Sequence, residues 1–78
     1  MPRLELYGSS TCPYTRDLRD WLEWRGVEFA EYDVEMDRAA RARIQALVPG
    51  TLTVPTLVED GRVTRIGWQG RGCVIAGG

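Results

Sequence analysis

Apolar and polar positions repeat with two different periods along the chain, and each change of period marks an element. Leu4 and Leu6 alternate with polar neighbours, which is typical of a short strand. From Pro13 the apolar residues recur every three or four positions, which predicts an amphipathic helix that ends near Gly26. A second strand is predicted over 27–34. Its apolar side chains fall on both faces, as in a strand covered on both sides.

A second helix is predicted after Asp37, because an aspartate is a favourable N-cap residue. Four apolar residues are expected to form its buried stripe: Met36, Ala40, Ile44 and Leu47. Helical spacing brings such residues onto one face, so this helix is expected to pack on the sheet.

The second half of the chain predicts a hairpin. Residues 53–58 are typical of a strand, and Asp60-Gly61 is a strong turn signal that leads into a fourth strand over 62–66. Strands joined by a helix are parallel, whereas hairpin strands are antiparallel. We therefore predict an α/β fold of order β-α-β-α-β-β, with a mixed four-stranded sheet and helices packed on it. The fold is expected to form a single domain over residues 1–78.

Composition excludes several kinds of chemistry. The net charge of −1 is spread over both signs, so neither a nucleic-acid partner nor a membrane partner is indicated. All basic residues are arginine, and the absence of histidine and lysine excludes histidine-based acyl transfer, zinc sites with histidine and lysine Schiff bases. No signal peptide is visible, which predicts a cytoplasmic protein. Two cysteines are the main groups left for covalent work.

Cys12 lies between the first strand and the first helix, with Pro13 just inside that helix. Proline is tolerated there because the first helical N–H has no intrahelical partner. The free N–H groups and the dipole of a helix N-terminus favour a thiolate, so we predict a Cys12 pKa below the free-thiol value of about 8.5. The pattern indicates a thiol-redox site.

Four stretches follow one another along the chain: Tyr7 through the Cys12-Pro13-Tyr14-Thr15 motif, residues 27–37, Thr53-Val54-Pro55 and Gly72-Cys73. In this order they resemble the glutaredoxins of the thioredoxin-fold superfamily. The combination of a Cys-Pro-Tyr motif with a later Thr-Val-Pro is fairly specific, and the resemblance covers nearly the whole chain. It implies a thioredoxin-like fold. The last helix of glutaredoxins would be short or absent here, because few residues follow Cys73.

The resemblance also implies the layout of the site. Pro55 would be a cis-proline that faces the Cys12 thiol, and the backbone of Val54 would pair with glutathione or another extended substrate. Tyr14 would flank the groove. The residues implied for substrate or glutathione binding are Pro13, Tyr14, Arg16, Thr53, Val54, Pro55, Arg71 and Gly72. The alternative for Val54-Pro55 is a proline that opens an edge strand.

The chain departs from dithiol glutaredoxins at Thr15, where they carry a second cysteine. A disulfide within the motif is therefore impossible. We hypothesise that Cys73 resolves the mixed disulfide on Cys12, since the glycine-cysteine element of glutaredoxins lies beside the glutathione site. The alternative is that Cys73 is a small buried apolar residue. A bridge requires Cα atoms within about 7 Å of each other.

Three further positions lack the groups with which glutaredoxins hold the carboxylates of glutathione. Ser9 replaces a lysine, Leu52 an arginine and Val74 a polar residue. Arg16 or Arg71 would have to substitute for them. We predict glutathione as a co-substrate, with no tightly bound cofactor and no metal.

The resemblance implies a thiol-disulfide oxidoreductase in which the Cys12 thiolate attacks disulfides, and glutathione or Cys73 resolves the product. Its partners would be disulfide-containing or glutathionylated small molecules or proteins, acted on by a monomer or weak dimer. Three alternatives remain open: a [2Fe–2S] carrier of the monothiol glutaredoxin type, the N-terminal domain of a glutathione transferase, and a non-catalytic thioredoxin-fold module. The motif also resembles bacterial glutaredoxin-like proteins in which selenocysteine replaces the first cysteine.

Overall fold

The computed structural model describes residues 3–75 and contains two helices and six strands in that range. In chain order these are β1 (Leu4–Gly8), α1 (Pro13–Trp24), β2 (Ala30–Asp33), α2 (Arg38–Leu47), β3 (Leu52–Val54), β4 (Thr56–Glu59), β5 (Arg62–Ile66) and β6 (Cys73–Ile75). The main sheet has the order β2-β1-β4-β5. Its β1–β2 pair is parallel and its other pairs are antiparallel, so the predicted mixed four-stranded sheet is confirmed.

Helix α1 begins and ends where the sequence predicts. Pro13 opens the helix, and Gly26 follows its end with a φ of +72°, a conformation that favours glycine. Leu18 and Leu22 are buried on the side of the helix that faces the sheet, where they form one core cluster with Leu6 and Leu57. This packing fixes the N-terminus of α1 above the end of β1.

Helix α2 is capped as predicted, but its buried stripe is shorter. The Asp37 carboxylate accepts a hydrogen bond from the N–H of Ala40 at 3.0 Å. Ala40 and Ile44 are fully buried, whereas Met36 is 82% and Leu47 is 44% exposed. The expectation was wrong at both ends because Met36 precedes the N-cap, outside the helix, and Leu47 is the last helical residue.

Strand β2 begins later than predicted. The N–H of Val27 bonds to the carbonyl of Leu22 at 3.3 Å, so the chain is still completing the end of α1 at that position. Val27 is consequently exposed, and pairing with β1 starts only at Ala30.

The strand predicted over 53–58 is interrupted at Pro55. The Val54–Pro55 peptide bond is cis, and β3 and β4 lie on either side of it. Only β4 joins the main sheet. Strand β3 pairs antiparallel with β6 in a separate two-stranded sheet that the hydrophobic pattern did not predict.

The hairpin at Asp60-Gly61 forms as predicted, with both residues at positive φ. No helix follows β5 between Ile66 and Ile75, and residues 76–78 lie outside the described range. None of the helices within residues 3–75 has the length and apolar character needed to cross a membrane.

Candidate active site

Cys12 is the N-cap residue of α1 and closes the turn that connects β1 to the helix. Its N–H donates to the carbonyl of Ser9 at 3.1 Å, and its own carbonyl accepts from the N–H of Thr15 at 3.2 Å. The residue is 3% exposed. The sulfur is therefore held at the N-terminus of α1 by backbone contacts on both sides.

Thr15, at the place of a second motif cysteine, supports this turn from inside. Its side chain is buried, and its hydroxyl oxygen accepts a hydrogen bond from the N–H of Ser9 at 3.2 Å. A Cβ at Gly8 would come within 2.2 Å of the Thr15 methyl carbon Cγ2, so the strand can approach the helix only with glycine there. Sequence reasoning noted the missing sulfur at position 15 but did not identify this supporting role.

We expect Thr15→Ala to destabilise the chain by about 1–3 kcal/mol, because it leaves the buried N–H of Ser9 without an acceptor. Thr15→Ser keeps the hydroxyl and is the matched control, so its loss should be smaller. Urea unfolding of the two variants measures the difference. Equal losses would show that the methyl group, rather than the hydrogen bond, carries the effect.

Two acidic residues, the last residue of β2 and one shortly after it, contact the other side of the same loop. The Glu35 carboxylate accepts hydrogen bonds from the hydroxyls of Ser9 and Thr11, the latter at 3.1 Å. Asp33 accepts from the N–H of Ser10 at 3.2 Å and from the N–H of Glu35 at 2.9 Å. Ser9 is thus buried and engaged with a carboxylate at the position where glutaredoxins were expected to carry a lysine.

The pKa of Asp33 reflects this role. Burial acts to raise the pKa of the carboxyl, but the hydrogen bonds from Glu35 and Ser10 outweigh it, so the pKa of Asp33 lies below its ordinary value. A carboxyl with a depressed folded-state pKa contributes stability that is complete above the unfolded-state pKa, near 3.9. That stability is lost as the pH falls through the folded-state pKa.

We therefore expect the free energy of unfolding to fall below about pH 4 and the fall to be smaller in Asp33→Asn. The amide cannot titrate, and it accepts the two N–H groups less strongly at neutral pH. Urea unfolding at a series of pH values compares the two proteins. The same acid dependence in both would exclude Asp33 as its source.

The wall opposite Cys12 is formed by the end of β3 and the cis-proline. Val54 and Pro55 are buried, and the Cys12 sulfur lies 3.9 Å from the Val54 carbonyl oxygen. The Thr56 hydroxyl donates to the carbonyl of Thr53 at 2.7 Å across the proline. The N–H of Gly67 donates to the Pro55 carbonyl at 2.7 Å.

Strand β6 places Cys73 at this wall. Cys73 lies directly opposite Val54 in the antiparallel β3–β6 register. Its sulfur forms a disulfide with Cys12, with a Cα–Cα distance of 6.1 Å across a sequence separation of 61 residues. The distance lies within the range that a disulfide requires. The two cysteines of the chain are thus brought together although far apart in sequence.

The remaining predicted site residues have different surroundings from one another. Arg16 is exposed and lines a depression of about 120 Å³ next to Cys12, together with Ser10, Thr11 and Pro13. Tyr14 is partly buried against the core cluster that contains Cys12. The backbone of Arg71 closes a turn with Trp68, before β6 begins. Within residues 3–75, no group of three or more Cys, Asp and Glu side chains is arranged to hold a metal ion.

Comparison with known proteins identifies relatives of this chain. The glutaredoxin family model matches residues 4–64. The probable glutaredoxins slr1562 and ssr2061 of Synechocystis sp. are 36% identical over 55 residues and 34% identical over 58 residues. Those alignments cover 70% and 74% of this chain, but the chain spans only 50% and 66% of the two relatives.

Solved structures extend the similarity to the fold. The thioredoxin-like protein BC3987 superposes with a TM-score of 0.75 at 33% identity, over 85% of this chain and 88% of that one. The glutaredoxin (grx-1) from Archaeoglobus fulgidus gives a TM-score of 0.74 at 20% identity, over 88% and 78% of the two chains, and shares the fold. With a family model that matches most of its length and includes the Cys12 motif and the cis-proline, the chain belongs to the glutaredoxin family.

Proposed function

We propose that this chain is a thiol-disulfide oxidoreductase in which Cys12 is the attacking cysteine and Cys73 the resolving one. The observation that carries the proposal is the position of the Cys12–Cys73 disulfide, at a helix N-terminus and against a cis-proline. A buried structural disulfide could also join two elements. The Cys12–Cys73 disulfide, however, joins a cysteine at the position of the family's attacking thiol to the short strand β6, where Cys73 lies opposite the residue before the cis-proline.

The reaction begins with the reduced form. The Cys12 thiolate attacks one sulfur of a substrate disulfide, so that a new S–S bond forms on Cys12 while the substrate S–S bond breaks. The leaving sulfur departs as a thiolate and takes up a proton. The thiolate of Cys73 then attacks the Cys12 sulfur, releases the second substrate thiol and forms the Cys12–Cys73 disulfide. Two electrons have passed from the protein dithiol to the substrate, and an external thiol must return them.

The two sulfurs have different surroundings, and this supports the assignment of roles. Cys12 lies at the positive end of the α1 dipole, where a thiolate is favoured. The exposed guanidinium of Arg16 lines the depression next to it. Cys73 is in a strand and has no helix N-terminus of its own. Cys12 is therefore the better nucleophile, and Cys73 acts after it.

Glutathione is the proposed reductant and co-substrate, and disulfide-containing or glutathionylated molecules are the proposed partners. Ser9 cannot replace a lysine as a carboxylate contact, because it is buried against Glu35. Arg16 has an exposed side chain beside Cys12 and is the proposed substitute; Arg71 is the second. Cytoplasm is the proposed compartment, since its thiol pool keeps such cysteines reduced between turnovers.

The test is to incubate the reduced protein briefly with glutathione disulfide and map each cysteine by mass spectrometry. We expect Cys73→Ser to accumulate one glutathione on Cys12, and the wild-type protein to pass to the Cys12–Cys73 disulfide without a stable adduct. Cys12→Ser should remain unmodified at Cys73. Preferential modification of Cys73, or no reaction of either cysteine, would contradict the proposal.

A further inference from the structure

Strand β6 covers the edge of β3 that leads up to the cis-proline. Cys73 is directly opposite Val54, the residue before the cis-proline, and Val74 and Ile75 continue the antiparallel pairing toward Leu52. A strand edge with free N–H and C=O groups is a ready template for another extended chain. Here the chain itself covers that edge, and its own cysteine is bonded to Cys12.

Apart from the disulfide, few interactions keep β6 on β3. Within residues 3–75, the strand has three residues and pairs only with β3, in a sheet separate from the main one. A two-stranded pair of this length has little stability of its own in water. Once the disulfide is reduced, β6 can leave β3 at the cost of this short pairing and of the burial of one aliphatic side chain, Ile75, and the covered edge becomes available.

The residue before Cys73 is under a steric limit. A Cβ on Gly72 would lie 2.6 Å from the Thr53 methyl carbon and 2.8 Å from the Val54 carbonyl oxygen. Real Cβ atoms do not approach other atoms so closely, and a backbone carbonyl cannot yield as the end of a flexible side chain can. The position before the cysteine therefore accepts only a carbon that bears no side chain, such as the Cα of glycine.

The two residues after Cys73 differ in their surroundings. The Val74 side chain is 67% exposed and so imposes little selection. Ile75 is 8% exposed and belongs to the core cluster that also contains Leu52 and Ile44. The second position after the cysteine is therefore a site for an aliphatic side chain.

We propose that β6 occupies the place of a substrate segment along β3. In the reduced protein, extended peptide segments of the pattern Gly-Cys-x-aliphatic bind there instead of β6. Thr53 and the Val54 carbonyl are the groups that select the unbranched residue before the cysteine. The inference rests on the proposed function, because the incoming cysteine must form a mixed disulfide with Cys12.

The same geometry couples resolution to release. While the peptide is bonded to Cys12, it occupies the β3 edge and β6 is displaced. The Cys73 thiolate then attacks the Cys12 sulfur while Val74 and Ile75 are still off the edge, the peptide leaves as a thiol, and only then does the rest of β6 return to β3. Substrate and β6 thus exclude each other, and formation of the internal disulfide expels the product.

The experiment measures the first step in the Cys73→Ser variant, which cannot resolve the adduct. Synthetic peptides carry a cysteine activated as a mixed disulfide with 2-nitro-5-thiobenzoate, whose release is followed by absorbance. The sequences are Gly-Cys-Val-Ile, Ala-Cys-Val-Ile and Gly-Cys-Val-Asp. Each rate is divided by the rate of the same peptide with N-acetylcysteine, which corrects for intrinsic reactivity.

We expect the corrected rate to fall by at least about tenfold for the Ala-Cys and the Asp peptides, the size of effect that one misplaced group has in a fitted pocket. Thr53→Ser, which removes the methyl carbon nearest the added Cβ, should recover part of the loss for Ala-Cys-Val-Ile and none for Gly-Cys-Val-Asp. Corrected rates within about twofold of one another for all three peptides would overturn the inference and leave the proposed function standing.

Glutathione disulfide is a further probe, because the carbon before its cysteine amide is also unbranched but no aliphatic residue follows. We expect it to react more slowly than the Gly-Cys-Val-Ile peptide after the same correction. An equal rate would overturn the aliphatic requirement. If Cys12 reacts with every reagent no faster than N-acetylcysteine does, the proposed function fails and the inference fails with it.

Discussion

Cys12→Ser is expected to reduce disulfide exchange to the rate seen without protein. A serine hydroxyl is not ionised at neutral pH and cannot attack sulfur, and Cys73 lacks the helix N-terminus that favours a thiolate. The measurement is the release of glutathione from a glutathionylated peptide, with a thiol present in excess as the final reductant.

Cys73→Ser is the matched control, because it removes the same disulfide and so carries the same structural loss. We expect it to keep the first step and to depend on the added thiol for the second. If both variants lost all activity, a structural effect of the disulfide would explain the result. If Cys12→Ser stayed active while Cys73→Ser did not, the assignment of roles would be reversed.

Reduction of the Cys12–Cys73 disulfide is expected to lower the thermal midpoint by more than about 15 °C. The bond closes a loop across 61 residues, and the chain-entropy model gives about 4 kcal/mol for a loop of that length. A domain of this size has a total stability on the order of 4–12 kcal/mol. Each kcal/mol shifts the midpoint by about 4–8 °C in domains of this size.

Differential scanning calorimetry with and without dithiothreitol measures this shift. The variant with both Cys12→Ser and Cys73→Ser should melt near the reduced wild-type protein and should not respond to the reductant. A midpoint that is the same in both conditions for the wild-type protein would show that the bond does not constrain the unfolded chain as the loop length predicts.

Local sequence signals predicted the elements that position Cys12. Alternation at Leu4 and Leu6, Pro13 as the first helical residue and the Asp60-Gly61 turn each act over a few residues, and all appear in the structure at or near the predicted positions. The parallel β1–β2 pair follows from the connection through α1, which leaves no other arrangement.

Features that depend on contacts between distant segments could not be predicted in this way. Strand β6 is only Cys73–Ile75 and follows a glycine-dense stretch, so it is too short for a pattern of alternation to predict it; its partner β3 lies about twenty residues earlier in the chain. The bonds from Ser9 and Thr11 to Glu35 likewise join two loops whose separation only the folded sheet determines.

The overestimated stripe of α2 has a different cause. Met36 lies at helical spacing from Ala40, but the cap at Asp37 starts the helix at Arg38, two residues after Met36. Periodicity gives the face of a helix, whereas the cap gives its first residue, and the two signals disagreed at this position.

For Cys73, the sequence left a resolving thiol and a buried apolar residue as alternatives. The structure brings its sulfur to Cys12. Whether that bond forms and breaks during turnover is the central claim of the proposed function.

Peptide mapping of mildly oxidised protein tests that claim most directly. Trypsin cleaves after Arg3, Arg16 and Arg71, so Cys12 lies in fragment 4–16 and Cys73 in the separate fragment that begins at Gly72. We expect the reduced monomer, oxidised by glutathione disulfide, to yield these two fragments joined by one disulfide, and dithiothreitol to separate them again. If no oxidant produces the joined fragments from monomeric protein, Cys73 is not the partner of Cys12 and the proposed function is wrong.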